Sequence, residues 1–271
     1  MKKIGRLFFP LISLWLLLGS STCYAFGADG HRIVVLIAQE HMSAKTKKAI
    51  DRIIDNDELS ELSLWPDRIR YIPKWQQSKY WHYVSIDDGE QFTDFKRHSD
   101  GDVLSALEYF YAQLHNPELS KQQRREALSF FSHFVADIHQ PLHVGRRADR
   151  GGNTIRVKWP DHPRGANLHQ LWDSLILNTE NKTPRQYSRH LNQTRTRQQE
   201  AGRQTDFLVW ARESKALRHH IYDFPQTRYN RAIVSASYIE RSKAIIEKRL
   251  LLAGLRLAEC LDQIFDPEGR M

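Results

Sequence analysis

A histidine and an aspartate four residues apart occur twice in this sequence, in His133-Phe-Val-Ala-Asp137 and in His169-Gln-Leu-Trp-Asp173. On a helix, residues i and i+4 are neighbours with Cβ atoms roughly 6 Å apart, so an imidazole and a carboxylate from one face could grip a single metal ion. Apolar residues surround both pairs, among them Phe130, Phe131, Phe134 and Val135 in the first, and Leu168, Leu171, Trp172 and Leu175 in the second. A helix apolar on nearly all sides is buried, and buried ionisable groups need partners. For either pair alone, a buried His–Asp hydrogen bond is an equally good explanation. Two such pairs favour a metal, and so do four further donors in distinctive settings: His143 after the turn Gln140-Pro141-Leu142, His82 in Tyr80-Trp81-His82-Tyr83, Asp67 after Trp65-Pro66, and His31. All are nitrogen or oxygen ligands that zinc accepts. His139 is read as structural, and the remaining histidines are assigned no role.

The elements that must position these groups are mostly helical. Apolar spacing predicts helices over about 31–42, 102–115, 121–139, 166–178, 206–222 and 229–265, and Ser43 is a predicted N-cap for Ala44 to Asp55. Only Asn153 to Trp159, with Ile155, Val157 and Trp159 alternating, reads as a strand and as half of a small hairpin. Gly151-Gly152 before it reads as a tight turn, not as a phosphate loop, since no helix follows immediately. With no internal repeat, low-complexity tract or Pro/Gly-rich linker, the expectation is one mainly α domain, a compact multi-helix bundle, over residues 26–271.

Residues 1–25 read as a secretory signal. Lys2, Lys3 and Arg6 form a basic start, Leu7 to Leu18 an apolar stretch too short for a membrane span, and Cys23-Tyr24-Ala25 a small-x-small cleavage site. The chain is therefore expected to be exported to the periplasm or medium. The formal charge is +8, and the leader accounts for three of those cations, so an anionic partner is only weakly favoured. After cleavage Cys260 is the sole cysteine, which excludes an internal disulfide despite an oxidising destination and leaves metal as a candidate staple.

Six stretches in order carry a resemblance: Phe26-Gly-Ala-Asp-Gly-His31, Trp65-Pro-Asp67-Arg-Ile-Arg70, Trp81-His82-Tyr83, Ser132-His133 through His143, Asp149-Arg-Gly-Gly-Asn153, and Asn167-Leu-His169 through Asp173, with Ala253-Gly-Leu-Arg-Leu-Ala258 as a last echo. The chain resembles the zinc-dependent single-strand nucleases of fungi, plants and bacteria, in the superfamily shared with bacterial phospholipase C. The resemblance implies that superfamily's helical bundle and three zinc ions. The first would be held by Asp67, His82 and His133, with Asp137 bridging to the second. The second would take His31 and the α-amine and carbonyl of Phe26, which requires cleavage after Ala25. The third would take His143, His169 and Asp173. A hydroxide bridging two zincs is the nucleophile that the resemblance implies, with Arg70 stabilising negative charge in the transition state. Tyr83 and Asn153 would bind a nucleobase.

By the same resemblance the reaction is endonucleolytic hydrolysis of single-stranded RNA or DNA to 5′-nucleotides, with 3′-nucleotidase activity as an accompanying expectation. The family usually begins with Trp where this chain has Phe26, and its best-known members have an Asp contacting the base where this chain has Ser85, with Asp87 and Asp88 close by. Two alternatives share the metal cage: a phospholipase C, and a non-catalytic zinc-binding protein. The first generally has a longer N-terminal spacing and a Glu in place of Asp173; the second has no need of Arg70.

Overall fold

The computed structural model describes residues 26–160, 162–194, 205–225 and 231–269. The predicted leader lies outside these residues. The described region is mainly helical, as expected. Helices α1 (Gly27–His41) and α2 (Ala44–Ile54) are followed by two short ones, α3 (Leu59–Leu62) and α4 (Trp65–Ile69), and a 3-10 stretch over Pro73–Tyr80. Then come β1 (Val84–Ser85), α5 (Val103–His115), α6 (Lys121–His139), a 3-10 turn at Pro141–His143 and β2 (Val144–Gly145).

The C-terminal half starts with strands β3 (Arg156–Trp159) and β4 (His162–Asn167). One helical run follows: α7 (Leu168–Gln170), a π-helical segment over Leu171–Leu175, and α8 (Ile176–Asn178). The chain then forms α9 (Pro184–Thr194), α10 (Phe207–Ala216), α11 (Arg218–Ile221), β5 (Arg231–Ala232) and α12 (Ala236–Phe265).

Capping chemistry explains the sharpest boundaries. The Ser120 hydroxyl accepts from Gln123 N while the Gln123 side chain answers Ser120 N, a reciprocal cap that starts α6. Pro141 ends that helix region by fixing its own φ and lacking a donor. From Ala127 to His139 every residue of α6 is buried, so this helix is the central one. It packs on α5, α12 and α10, while α1 lies against α12 and α9.

Several sequence expectations need correction at their ends, and α1 already begins at Gly27, four residues before the predicted start at 31. The helix predicted from 166 starts at Leu168, because Ala166 and Asn167 still pair with β3 and the Asn167 side chain caps Gln170 N. The one predicted from 229 starts at Ala236, since Arg231–Ala232 form a third strand beside β3 and Ser235 supplies the cap. The predicted hairpin is present as β3–β4, but the strand begins at Arg156 and Asn153 belongs to the preceding turn. The helix expected over 206–222 is divided at Leu217. The short helices α3 and α4 escaped the sequence reading because four or five residues show no periodicity.

The crossing of α1 and α12 is set by Gly254. A Cβ there would lie 2.5 Å from Ile37 Cβ and 2.9 Å from the Val34 carbonyl oxygen, so only glycine allows this approach. Gly254→Ala should therefore destabilise the protein by about 1–3 kcal/mol through overpacking. A melting temperature lower by several degrees is the expected result; an unchanged one would show that the two helices can separate freely.

Candidate metal centre

Four segments, remote in sequence, converge on the inner face of α6. His133 and Asp137 lie on α6 itself, His31 comes from α1, Asp67 from α4, and His82 from the link between the 3-10 stretch and β1. The segment carrying His82 is tied to the one carrying His143 by a short parallel ladder, Val84 opposite Val144 and Ser85 opposite Gly145. Gly145 has no room for a side chain, because a Cβ would sit 2.5 Å from both Gly151 Cα and the Leu142 carbonyl oxygen. That close approach draws the Gly151–Asn153 turn, and with it His169, alongside His143. The rings of His143 and His169 stack with centroids 5.0 Å apart.

Three groups of donor atoms result, each with its atoms within 4.8 Å of one another: His31, His133 and Asp137; Asp67, His82 and His133; and His143, His169 and Asp173. All of these residues are buried. Asp137 stands between histidines from different segments. Its Oδ2 is 3.0 Å from His82 Nδ1 and 3.3 Å from His133 Nε2. Its Oδ1 faces His31 Nε2 at 3.5 Å and His143 Nδ1 at 3.8 Å. In the third group Asp173 Oδ2 is 3.3 Å from His169 Nε2, and Asp173 Oδ1 accepts from Gln140 Nε2 at 2.5 Å.

Backbone carbonyls determine which ring nitrogen carries the proton. The Nδ1–H of His133 donates to Ser63 O at 2.7 Å, that of His143 to His82 O at 2.5 Å, and that of His169 to Gly151 O at 2.7 Å. A carbonyl can only accept, so each Nδ1 holds the hydrogen and each Nε2 keeps a lone pair aimed at the group's interior. This is how metal-ligating histidines are oriented. His143 Nε2 and Asp137 Oδ1 are buried with no hydrogen-bond partner among the described residues. Unsatisfied buried polar atoms are costly. Bound cations would satisfy them, and the donor set of imidazole and carboxylate fits zinc.

Electrostatics point the same way. Burial pushes the carboxyls of Asp67 and Asp173 up to about 6 and raises that of Asp137 well above the usual carboxylate range, while it holds His82, His133 and His143 below the usual imidazole range. In Asp67 the neighbouring His133 and Arg70 oppose the effect of burial. A cluster that resists ionisation in this way gains most from an ion carrying two positive charges.

Phe26 is buried at the start of α1, in the left-handed region with φ of 36°. Its backbone amide donates to the Asp173 carboxylate, and its carbonyl accepts from Gly30 N at 3.0 Å. The first mature backbone group expected at the site thus reaches its edge beside the third group of donors, one turn before His31.

Arg70, Tyr83 and Asn153 all line one cavity of about 540 Å3 that opens over His82, His143 and His169. Arg70 Nη1 is 3.2 Å from Asp67 Oδ1, and its side chain is 12% exposed; Arg68, at 57%, is the solvated neighbour. Tyr83 is 38% exposed and faces the cavity, not the core. Asn153 donates to Arg150 O at 2.8 Å. Ser85 also lines the cavity, but neither nearby aspartate does. Asp87 is paired with Arg147, and Asp88 with Arg146 and Arg218.

His139 is buried outside the three groups, donating from Nδ1 to Val135 O and accepting at Nε2 from Arg256. Glu213 joins it through Arg249 and Arg256, which locks the end of α6 to α12. The sequence reading missed Gln140 as the partner of Asp173, and the carbonyls of Ser63, His82 and Gly151. A backbone carbonyl leaves no signal in residue type.

A mainly helical scaffold enclosing three such clusters of imidazole and carboxylate beneath an open cleft has the construction of a metal-dependent hydrolase. The sequence family model for S1/P1 Nuclease matches residues 26–266. The chain belongs to the S1/P1 nuclease family, hydrolases of phosphodiester bonds. Among curated relatives it is similar to Endonuclease 2 of Arabidopsis thaliana, with 36% identity across 62% of each chain. It is also similar to Endonuclease 5 of the same plant, at 28% across 91% of this chain and 92% of the relative, and to Nuclease S1 of Aspergillus oryzae, at 27% across 94% and 96%.

Proposed function

We propose that the protein is an exported, trinuclear-zinc endonuclease that hydrolyses single-stranded RNA and DNA to 5′-nucleotides. The observation that carries this reading is Asp137, whose two oxygens face different histidines beneath the cleft that Arg70 lines. In this reading Asp67, His82, His133 and Asp137 hold one zinc. Asp137, His31 and the backbone of Phe26 hold a second, and His143, His169 and Asp173 a third. Bound zinc supplies a water ionised near neutral pH and a Lewis acid for the phosphoryl oxygens.

The protein's own residues do the rest. The carbonyls of Ser63, His82 and Gly151 keep the imidazoles in one tautomer. Arg70, held by Asp67, presents its planar fork to a phosphate oxygen, where charge accumulates as the phosphorus gains a fifth bond. Tyr83 offers a ring face to an unstacked base, which any base satisfies and a duplex does not supply. Removal of residues 1–25 frees the α-amine of Phe26, since an amide nitrogen has no lone pair to give a metal. No helix among the described residues is long and apolar enough to cross a membrane.

The test is to incubate zinc-loaded protein beginning at Phe26 with single-stranded RNA and DNA and to follow 5′-phosphate ends. Cleavage of lecithin without cleavage of polynucleotides would transfer the site to the phospholipase reading. Arg70→Ala should retain the zinc content and lower kcat about 10²–10³-fold, the usual cost of losing one donor to a developing negative charge. Loss of zinc together with turnover would make Arg70 a support for Asp67 only.

A further inference from the structure

The cavity over the metal centre is larger and more basic than one scissile phosphate requires. Among the described residues no carboxylate lines it, whereas Arg70, Lys79, Arg147 and Arg150 do. Two of these cations are already neutralised: Arg70 by Asp67, and Arg147 by Asp87 and Glu90. Lys79 and Arg150 have no carboxylate partner among the described residues. Each is nevertheless held in place. The Lys79 ammonium lies 4.7 Å from the ring centroid of Tyr80, which is itself stacked on His98 at 3.7 Å.

Arg150 occupies a backbone position with φ of 56°, followed by Gly151 at 63° and Gly152 at 81°. Glycine would fit this run without strain, yet an arginine stands there, at the rim of the cleft. Strain of this kind is retained where the side chain is used. Tyr71, 70% exposed, lines the same cavity beside Arg70, whose guanidinium is 5.2 Å from its ring centroid.

We propose that Lys79 and Arg150 bind phosphates of the strand other than the one being cleaved, and that Tyr71 is a second base platform, so that the cleft holds a run of nucleotides and not a single one. Cations interleaved with aromatic faces are the usual construction for single strands. The proposal rests on the nuclease reading and extends it from the scissile bond to the chain on either side.

Binding of a labelled 12-nucleotide phosphorothioate single strand to zinc-loaded protein, measured by fluorescence anisotropy against salt concentration, tests it. Each phosphate contact contributes about 0.7 to the slope of log K against log salt for a single strand. Lys79→Ala with Arg150→Gly should flatten that slope by about 1.4 and weaken binding at least tenfold at low salt, while Arg150→Lys keeps the wild-type slope. The melting temperature of Arg150→Gly should be unchanged or higher, which separates a binding role from a structural one.

A double variant with the wild-type slope and affinity would overturn the proposal and leave the nuclease reading standing. So would an equal loss of affinity for a mononucleotide, because the two cations would then belong to the cleaved nucleotide. Failure of the wild-type protein to bind any single strand would remove both.

Discussion

Asp137→Ala is expected to abolish nuclease activity and to remove much of the stability gained from zinc. Even the outer hydrogen-bond partners of metal ligands typically cost 10–100-fold when removed, so the loss here should exceed about 100-fold. The stability effect has two opposite parts. Without metal, Asp137 is a buried carboxyl whose pKa burial pushes well above the usual range, so it is a burden on the fold. With metal, it joins two groups of ligands. The variant in chelator should therefore melt at or above the wild-type temperature, whereas in excess zinc it should melt below it. A thousandfold loss of zinc affinity corresponds to about 4 kcal/mol at saturating metal. For a domain of this size that is roughly 8–16 °C. Parallel melting curves in chelator and in zinc decide the matter: equal zinc-dependent gains in both proteins would exclude Asp137 as a bridge.

The second large effect is the pH dependence of metal binding. Asp67 and Asp173 have carboxyls raised by burial to about 6, so in the metal-free protein both hold protons below that pH and must release them to bind an ion. Their raised pKa values favour the metal-free fold at low pH, and that contribution is lost as pH rises through about 6. The histidines behave oppositely. Burial lowers the pKa of His82, His133 and His143 in the fold, so their contribution is present above about 6.5 and is lost on acidification. In the metal-free protein the two trends oppose each other between pH 4 and 6.

Burial makes His82, His133 and His143 weaker bases than a free imidazole, so the protons on Asp67 and Asp173 are the main ones zinc must displace. Affinity at each of the two groups should fall about tenfold per pH unit below 6. Removal of metal by a chelator should abolish activity at any pH. The gain in melting temperature on adding zinc back should be distinctly larger at pH 7 than at pH 5. A gain independent of pH would mean that Asp67 and Asp173 are not ligands.

Local chemistry in the sequence was enough to find nearly all donors. The i, i+4 pairs His133–Asp137 and His169–Asp173 are visible because helical geometry is a local rule, and α6 runs over the predicted 121–139. The second pair survives even though the chain winds as a π-helix from Leu171, with His169 Nε2 still 3.3 Å from Asp173 Oδ2. Helix ends were less legible: Asn167 and Arg231 are in strands because distant partners supply their hydrogen bonds. The resemblance put Tyr83 beside a nucleobase, and it is the tertiary structure that leaves its side chain exposed in the cavity and not packed in the core.

Residue types and short spacings by themselves pointed to the helical class and to the candidate donors, and the order of six motifs pointed to the family. What they could not determine is which donors share an ion, because that depends on contacts between segments about 25 to 100 residues apart. Close approaches at Gly145 and Gly254 bring those segments together, and both depend on an absent Cβ meeting a partner elsewhere in the chain. The tertiary structure alone decided the tautomers of His133, His143 and His169, the sharing of Asp137 between histidines of different segments, and the paired state of Asp87 and Asp88. The reason is the same in each case. Proton placement and charge pairing follow from distances of a few ångströms between groups whose separation along the chain carries no information.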